Sequence, residues 1–488
     1  MIKTEQDDFY PKKPFYKRHE FVGTLSKGDK SATDLQIVLQ YSLIKEGEIF
    51  AKVIGNTDTY QRIKSILKSP NPSLTLSTKS PELQRIVFTS EDVILGTFYD
   101  KPDYGTDMSF KVADLRLWDL TVRHRINLDE KKERHLTFFL AGPRDLWTTF
   151  ESRGRSLNGE EKVEVQNSQV ELNEHFPFEI ETRSWYFYDT TPTDEHFDLK
   201  TNIQVLSFKT IIPRTELGDD EFINSATSIA DDLTLLISLI SRRWVVWFRY
   251  ELQTPEEIRS FIRYTRECTS KRVKPYDSVV EFHQSRNFIR TAFTELRTLR
   301  QSGFDLKMPL VYYISGNEAK YLEEQFTTFF LSLERIEDMF CIKKELDEIL
   351  NPTVFNRLKR SASEFIRQEI SNIPSIEMKE EKFGLIKQKL SELNRPAFRT
   401  VLDRMFNNYA VQWTDLYPLG SKLTLVKTRN ELFHSSREID INNLIKEKLR
   451  LQSLLERLLL SMLGWKDFSL SPIHYEKKWL SELENNDS

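Results

Sequence analysis

The sequence predicts an α+β multidomain protein: a β-rich, sandwich- or barrel-like N-terminal domain followed by an all-α helical bundle. Three observations carry this. Short runs rich in β-branched and aromatic residues recur through the first half, with turn chemistry between them. After Pro275 the apolar spacing switches from alternation to steps of three and four. Only 15 glycines and 18 prolines occur in 488 residues, so no part reads as collagen-like or low-complexity.

In chain order, strands are expected at 35–44, 48–55, 84–99, 111–122 and 136–142, separated by turn segments such as SKGDKS, SPNPS and DKPDYGTD. The pattern resumes at 164–172, 183–189 and 202–211. A helix with an apolar stripe follows at 221–240, then one more strand at 243–252. The β-rich domain therefore spans 1–275, and 276–315 reads as a helical connector. In the segment 318–340, Leu322, Phe326, Phe329, Leu333, Ile336 and Phe340 fall on one helical face. Further helices are expected at 353–371, 378–408 and 421–435. The last runs over 441–463, with Asp440 as its N-cap and Gly464 as its stop. These helices make a bundle over 316–470, and 471–488 is a tail.

Composition narrows the function classes. With 39% hydrophobic and 30% charged residues, the chain has the make-up of a globular protein. The start, MIKTEQDDFYPKKPFYK, is charged throughout and lacks an apolar core, so no signal peptide is expected. The most membrane-like run, 233–248, is split by Arg242 and Arg243, and no membrane partner is expected. Two cysteines, Cys268 and Cys341, cannot staple a secreted scaffold and have no zinc spacing, which suits a cytoplasmic protein. The net charge of −4 excludes a globally basic nucleic-acid coat but not a local basic cleft.

The segment LVKTRNELFHSS, 425–436, contains Arg429, Asn430 and His434, or Arg-Asn-x-x-x-His, closing a short helix. Of the eight histidines, only His434 has an arginine five positions before it. Those residue types suit RNA cleavage without a metal. A histidine titrates near neutrality and can move the 2′-hydroxyl proton, and a guanidinium grips two phosphate oxygens in a fork. Five helical steps place the two positions roughly 140° apart around the axis. A helix C-terminus favours a protonated imidazole by about 0.3–1 kcal/mol, so His434 is open to acid and base roles alike. From 421 to 457 there are eight basic residues (Lys422, Lys427, Arg429, Arg437, Lys446, Lys448, Arg450, Arg457) against five acids (Glu431, Glu438, Asp440, Glu447, Glu456), as a phosphate cleft would need. Lys427 and Arg437 are candidate RNA contacts, with a solvated helix face as the plainer reading. Arg429 and His434 have a plainer reading as well, a structural pair in which the arginine bridges an acid and the histidine caps carbonyls.

On the motif and the helices around it, the region 316–465 resembles the HEPN superfamily (higher eukaryotes and prokaryotes nucleotide-binding). YLEEQFTTFFLSLERIEDMF looks like that fold's first long helix and LVKTRNELFH like its motif helix. A β-rich domain ahead of such a bundle resembles the ApeA family of bacterial anti-phage proteins, as do LNRPAFRTVLDRMF and LSLERIEDMF. The resemblance implies an endoribonuclease of abortive infection, with Arg429, His434 and Asn430 as catalytic residues and 2′,3′-cyclic phosphate products. It further implies RNA as partner, tRNA being one candidate, a homodimer through the bundle, and a phage-derived trigger at the N-terminal domain. No cofactor or metal is expected. The alternative is a non-catalytic HEPN module for nucleotide binding or dimerisation within a defence or toxin–antitoxin complex.

Other features carry plainer readings. Asp219-Asp220-Glu221 and Asp231-Asp232 suit helix-associated acids better than metal ligands. His283 and His474 lack partners at a telling spacing, and Trp185–Tyr188 suits sheet packing. SKGDKS lacks the full P-loop spacing, and neither HExxH nor GxSxG occurs.

Overall fold

The computed structural model describes residues 16–42, 49–55, 57–68, 74–78, 86–90, 93–102, 109–125, 134–141, 166–169, 179–187, 201–210, 218–263, 278–280, 284–346, 348–374, 379–418, 424–434 and 440–466. The chain divides into two compact units. One comprises Met1–Asp277 with Phe282–Arg286, the other Ser278–Glu281 with Asn287–Ser488.

The first unit is built on β1 (Tyr16–Lys27), β2 (Lys30–Ser42), β3 (Ile49–Gly55), α1 (Thr57–Leu67), β4 (Leu74–Thr78), β5 (Ile86–Ser90), β6 (Val93–Pro102), β7 (Ser109–Leu117) and β8 (Asp119–Arg125). It continues with β9 (Arg134–Ala141), β10 (Gln166–Gln169), β11 (Glu179–Phe187), β12 (Thr201–Thr210), α2 (Asp219–Ser241), β13 (Val246–Gln253) and β14 (Glu257–Arg263). The strands form one antiparallel sheet of fourteen, in the order β10-β11-β12-β9-β13-β14-β8-β5-β4-β1-β2-β3-β7-β6. The expected sandwich or barrel is thus a single hydrogen-bonded sheet among the described residues, ending at β10 and β6. The SKGDKS turn closes the β1–β2 hairpin, pairing Lys27 with Lys30, and Gly28 takes φ 62° at its first central position.

Alternation decides which face is inside. Leu35, Ile37, Leu39 and Tyr41 of β2, Ile49, Ala51 and Val53 of β3, and Ala113, Leu115 and Leu117 of β7 all point into one core. Ile63 and Ile66 of α1 fill the same core. The α2 helix is long and apolar enough to cross a membrane by length and composition, because it starts earlier and runs longer than the split 233–248 run suggests. Phe222, Ala226, Ile229, Leu236 and Ile240 are buried, and the helix packs on β13 and β9 as a core element.

The acids considered as metal ligands hold protein partners. Asp219 pairs with Arg134 at 3.1 Å and Asp220 with Arg259 at 2.6 Å. Asp231 accepts a 2.7 Å bond from Trp247 Nε1. Trp185–Phe187 lie on β11 with side chains outside the described residues, as Tyr188, His283 and His474 are altogether.

The second unit is helical: α3 (Ser285–Gln301), α4 (Lys307–Glu318), α5 (Leu322–Lys344), α6 (Pro352–Asn372), α7 (Lys379–Glu392), α8 (Phe398–Asn408), α9 (Thr424–His434) and α10 (Ile441–Met462). The stretch read as a connector holds α3 and α4, whose Phe288, Phe293, Leu296, Leu310 and Tyr313 are buried core residues. Gly316 lets α4 lie close on α5: a Cβ there would sit 2.7 Å from the Phe329 ring. The segment expected as one helix over 378–408 is two. Pro396 disfavours helical backbone before it, and Asn394 is held by its amide, which accepts from Leu350 N at 2.8 Å and donates to Leu350 O at 2.9 Å.

α10 is the central helix, with Leu444, Leu451, Leu455, Leu458 and Met462 all buried. Its N-cap is Asp440, whose carboxylate accepts from Asn442 N at 3.0 Å. At its C-terminus Gly464 takes φ 75°, and the Trp465 N–H reaches Leu460 O at 2.9 Å, closing a Schellman turn.

Candidate active site

The motif helix α9 is short and held by one buried face. Leu425 and Thr428 are buried, and α9 packs against α10 and α5. Its first turn is fixed by a carboxylate in the core: Glu447 of α10, 3% exposed, accepts from Thr424 Oγ1 at 2.7 Å, Tyr417 OH at 3.2 Å and Arg450 Nη1 at 2.9 Å. Burial, reinforced by Glu447, pushes the Tyr417 hydroxyl far above its usual range, so it stays a donor.

One helical turn beyond Leu425, Arg429 lies at the border of the buried face. Its guanidinium carbon is 5.8 Å from the Phe330 ring centroid of α5 and 5.5 Å from that of Phe433, one turn further along α9. Nη1 donates to Asn430 Oδ1 at 3.2 Å, and Nη2 faces Glu334 Oε1 of α5 at 3.7 Å. That last distance is an ion pair without a hydrogen bond. Nε is buried and has no hydrogen-bond partner among the described residues. The side chain nevertheless stays 34% exposed. Arg429 is therefore a cation clamped by two rings, with donor capacity its protein partners do not use.

Glu334 is under tension. Burial raises its carboxyl pKa, Arg429 pulls it back, and Asp338 adds to the rise. An anion placed at Arg429 competes with a carboxylate that is poorly solvated and loosely held.

His434 is the last residue of α9, and its side chain lies outside the described residues. By rotation at ~100° per residue, position 434 falls on the face opposite Leu425, in line with Lys427 and Asn430. Arg437 lies outside the described residues altogether. Lys427 is exposed and sits 3.6 Å from Glu431 in an i,i+4 surface pair, an interaction worth about 0.3–0.5 kcal/mol.

The basic surplus over 421–457 does not form one cleft. Arg457 turns inward onto Asp415, with bonds of 2.7 and 2.9 Å, and Arg450 pairs with Glu447. Lys446 is buried, and Lys448 lies over the Phe329 ring. Lys422 is outside the described residues. The count of charges misled because long α10 is buried around most of its circumference, so its cations serve internal partners.

Among the described residues no group of three His, Cys, Asp or Glu side chains is placed to hold a metal ion. No family model, curated protein or solved structure matches the chain. The site must therefore be read from its own groups. Arg429 and Asn430 are brought together, and His434 follows on the same helix. Glu334, Phe330 and Glu447 are the residues that sequence spacing did not single out. Glu334 and Phe330 fall within or beside LSLERIEDMF, but only the α5–α9 contact assigns them to Arg429.

Proposed function

We propose that the helical unit is a HEPN-type endoribonuclease that cuts RNA without a metal, and that the whole chain acts in bacterial anti-phage defence. The observation that carries the reading is the state of Arg429: a guanidinium ring-clamped, one-third exposed and with a buried Nε lacking a partner among the described residues. A non-bridging phosphate oxygen is an acceptor that the exposed part of such a fork can take. Asn430 holds the fork from the side, and its amide is exposed for a second contact. His434, the last residue of the same helix, supplies the proton-transfer group. It takes the 2′-hydroxyl proton or gives one to the 5′-oxygen leaving group. The 2′-oxygen attacks phosphorus, the P–O5′ bond breaks, and a 2′,3′-cyclic phosphate remains. Arg429 neutralises the charge that builds on the phosphorane.

In this reading Lys427 and Arg437 flank the RNA, with tRNA one candidate, and the β-rich unit receives a phage-derived trigger in the cytoplasm. A homodimer through the helical unit presents two copies of the motif to one RNA.

Induced expression of wild type and His434→Ala in a bacterial host tests it, with growth and total RNA integrity followed together. Growth arrest with RNA fragmentation that disappears in the variant supports the reading. Arrest that persists without the imidazole removes the enzyme and leaves a non-catalytic HEPN binding module.

A further inference from the structure

Three residues at steps of four along α9 lead out of the core: Leu425 is buried, the Arg429 side chain is 34% exposed, and Phe433 is 54% exposed. Each step of four turns about 40° around the axis and climbs about 6 Å, so this face emerges into solvent as the helix ends. The two rings beside Arg429 are therefore unlike. Phe330 of α5 is buried and belongs to the core, where it also stacks on Phe326 and Phe398. Phe433 meets no other aromatic ring among the described residues, and the Arg429 guanidinium lies over it at 5.5 Å. A phenyl ring in solvent is ordinary by itself. What sets Phe433 apart is the guanidinium next to it, with donors to spare. Glu334 faces that guanidinium only at Nη2, and Glu431 is engaged by Lys427.

We propose that Phe433 is a stacking platform for a nucleobase and restricts the site to unpaired stretches of RNA. The inference rests on the phosphate-binding role given above to Arg429 and adds the base to it. A nucleotide carries an anionic phosphate and a flat base with apolar faces. A guanidinium and an exposed ring one helical turn apart match both parts. A phosphate held at Arg429 leaves the base of the same or the adjoining nucleotide within reach of the ring. Every base has a π-face, so such stacking does not read sequence. It reads strandedness, because a base inside a duplex has both faces covered by its neighbours and must be unstacked first. A free phosphate or an acidic peptide would use the guanidinium and leave the ring empty. His434 follows Phe433 in the chain, so a strand held at 429 and 433 is brought to the end of α9 that carries the imidazole.

The test is fluorescence anisotropy of the full chain with three labelled, uncut probes of one length. They are a 2′-deoxy single strand, the same strand annealed to its complement, and a strand of abasic sugar–phosphates. Wild type is expected to bind the single strand more tightly than either of the others. Phe433→Ala is expected to weaken single-strand binding about tenfold and to leave the abasic probe unchanged. Phe433→Trp retains the affinity, whereas Phe433→Leu, with apolar bulk but no π-face, falls with the alanine variant. Circular dichroism checks that each variant is folded. A loss on the abasic probe as large as on the single strand would mean that the ring acts only through Arg429, and overturns the proposal. Equal affinity for single strand and duplex, an unchanged Phe433→Ala, or a wild type that binds no single strand overturns it too. Because the probes are not cut, the nuclease reading fails separately. A chain that binds in this way but leaves RNA whole keeps the platform and loses the nuclease. One that cuts RNA while Phe433→Ala binds like wild type loses the platform alone.

Discussion

The guanidinium of Arg429 stands 3.7 Å from the carboxylate of Glu334, close enough to be an ion pair and too far to be a hydrogen bond. That relationship is expected to set how the candidate site responds to pH and to added anions. Burial is the largest influence on Glu334 and raises its pKa in the folded chain, with Arg429 opposing. Between the ordinary glutamate value, about 4.3, and the raised folded value, the native state binds more protons than the unfolded chain. Stability therefore falls as pH rises through that window.

Glu334→Gln is expected to flatten this fall. Urea unfolding at mildly acidic and at neutral pH measures it, with the wild type losing more stability between the two than the variant. Equal pH slopes would show that the carboxyl does not feel its burial.

Releasing Arg429 from Glu334 is also expected to strengthen anion binding. Glu334→Gln should bind a short RNA severalfold more tightly than wild type at low salt, and the gain should shrink as salt is added. Fluorescence anisotropy with an uncut 2′-deoxy analogue reads this without interference from cleavage. Unchanged affinity would mean that Glu334 does not restrain the guanidinium.

Glu447 is buried and positions α9. Glu447→Ala removes the acceptor for Thr424, Tyr417 and Arg450 together, and is expected to cost about 1–3 kcal/mol of stability. Tyr417→Phe removes one of those bonds and should cost less. A thermal melt ranks them, and the order Glu447→Ala below Tyr417→Phe below wild type is expected.

The α4–α5 contact depends on a missing side chain. Gly316→Ala puts a methyl 2.7 Å from the Phe329 ring, a conflict expected to cost about 1–3 kcal/mol. Phe329→Leu in the same chain should recover part of the loss. Gly316→Ala melting with wild type would show that the helices shift without penalty.

Much of this architecture was legible because one property dominated each element. Alternation alone marks β2, where Leu35, Ile37, Leu39 and Tyr41 point inward. Steps of three and four mark α5, where Phe326, Phe329, Leu333, Ile336 and Phe340 are all buried. Strand β1 escaped notice because Arg18 and Glu20 are exposed and only Phe21 and Leu25 record its inward face, although it lies deep within the sheet order. Strand β14 escaped for a similar reason, since its Arg259 is drawn inward by Glu257 and Asp220. The break between α7 and α8 turns on Pro396 and on the Asn394 clamp, and the latter is a tertiary contact. In the site, Arg429 and Asn430 could be found from spacing. Glu334 could not, because its role comes from α5 lying against α9. The charge count failed at Arg450 and Arg457 because a sum along the sequence cannot tell an internal ion pair from an open groove.

Cleavage by Arg429 and His434 is measured with purified full-length protein and total RNA in EDTA. Wild type is set beside Arg429→Ala, Arg429→Lys and His434→Ala, and the ends of the products are analysed. Cleavage by wild type with 2′,3′-cyclic phosphate ends is expected. Removing either group is expected to lose about 10²–10³ or more in rate, with no rescue by lysine, which lacks the fork and the stacking surface. Wild type that leaves RNA whole, or Arg429→Ala and His434→Ala that cut as well as wild type, would contradict this assignment.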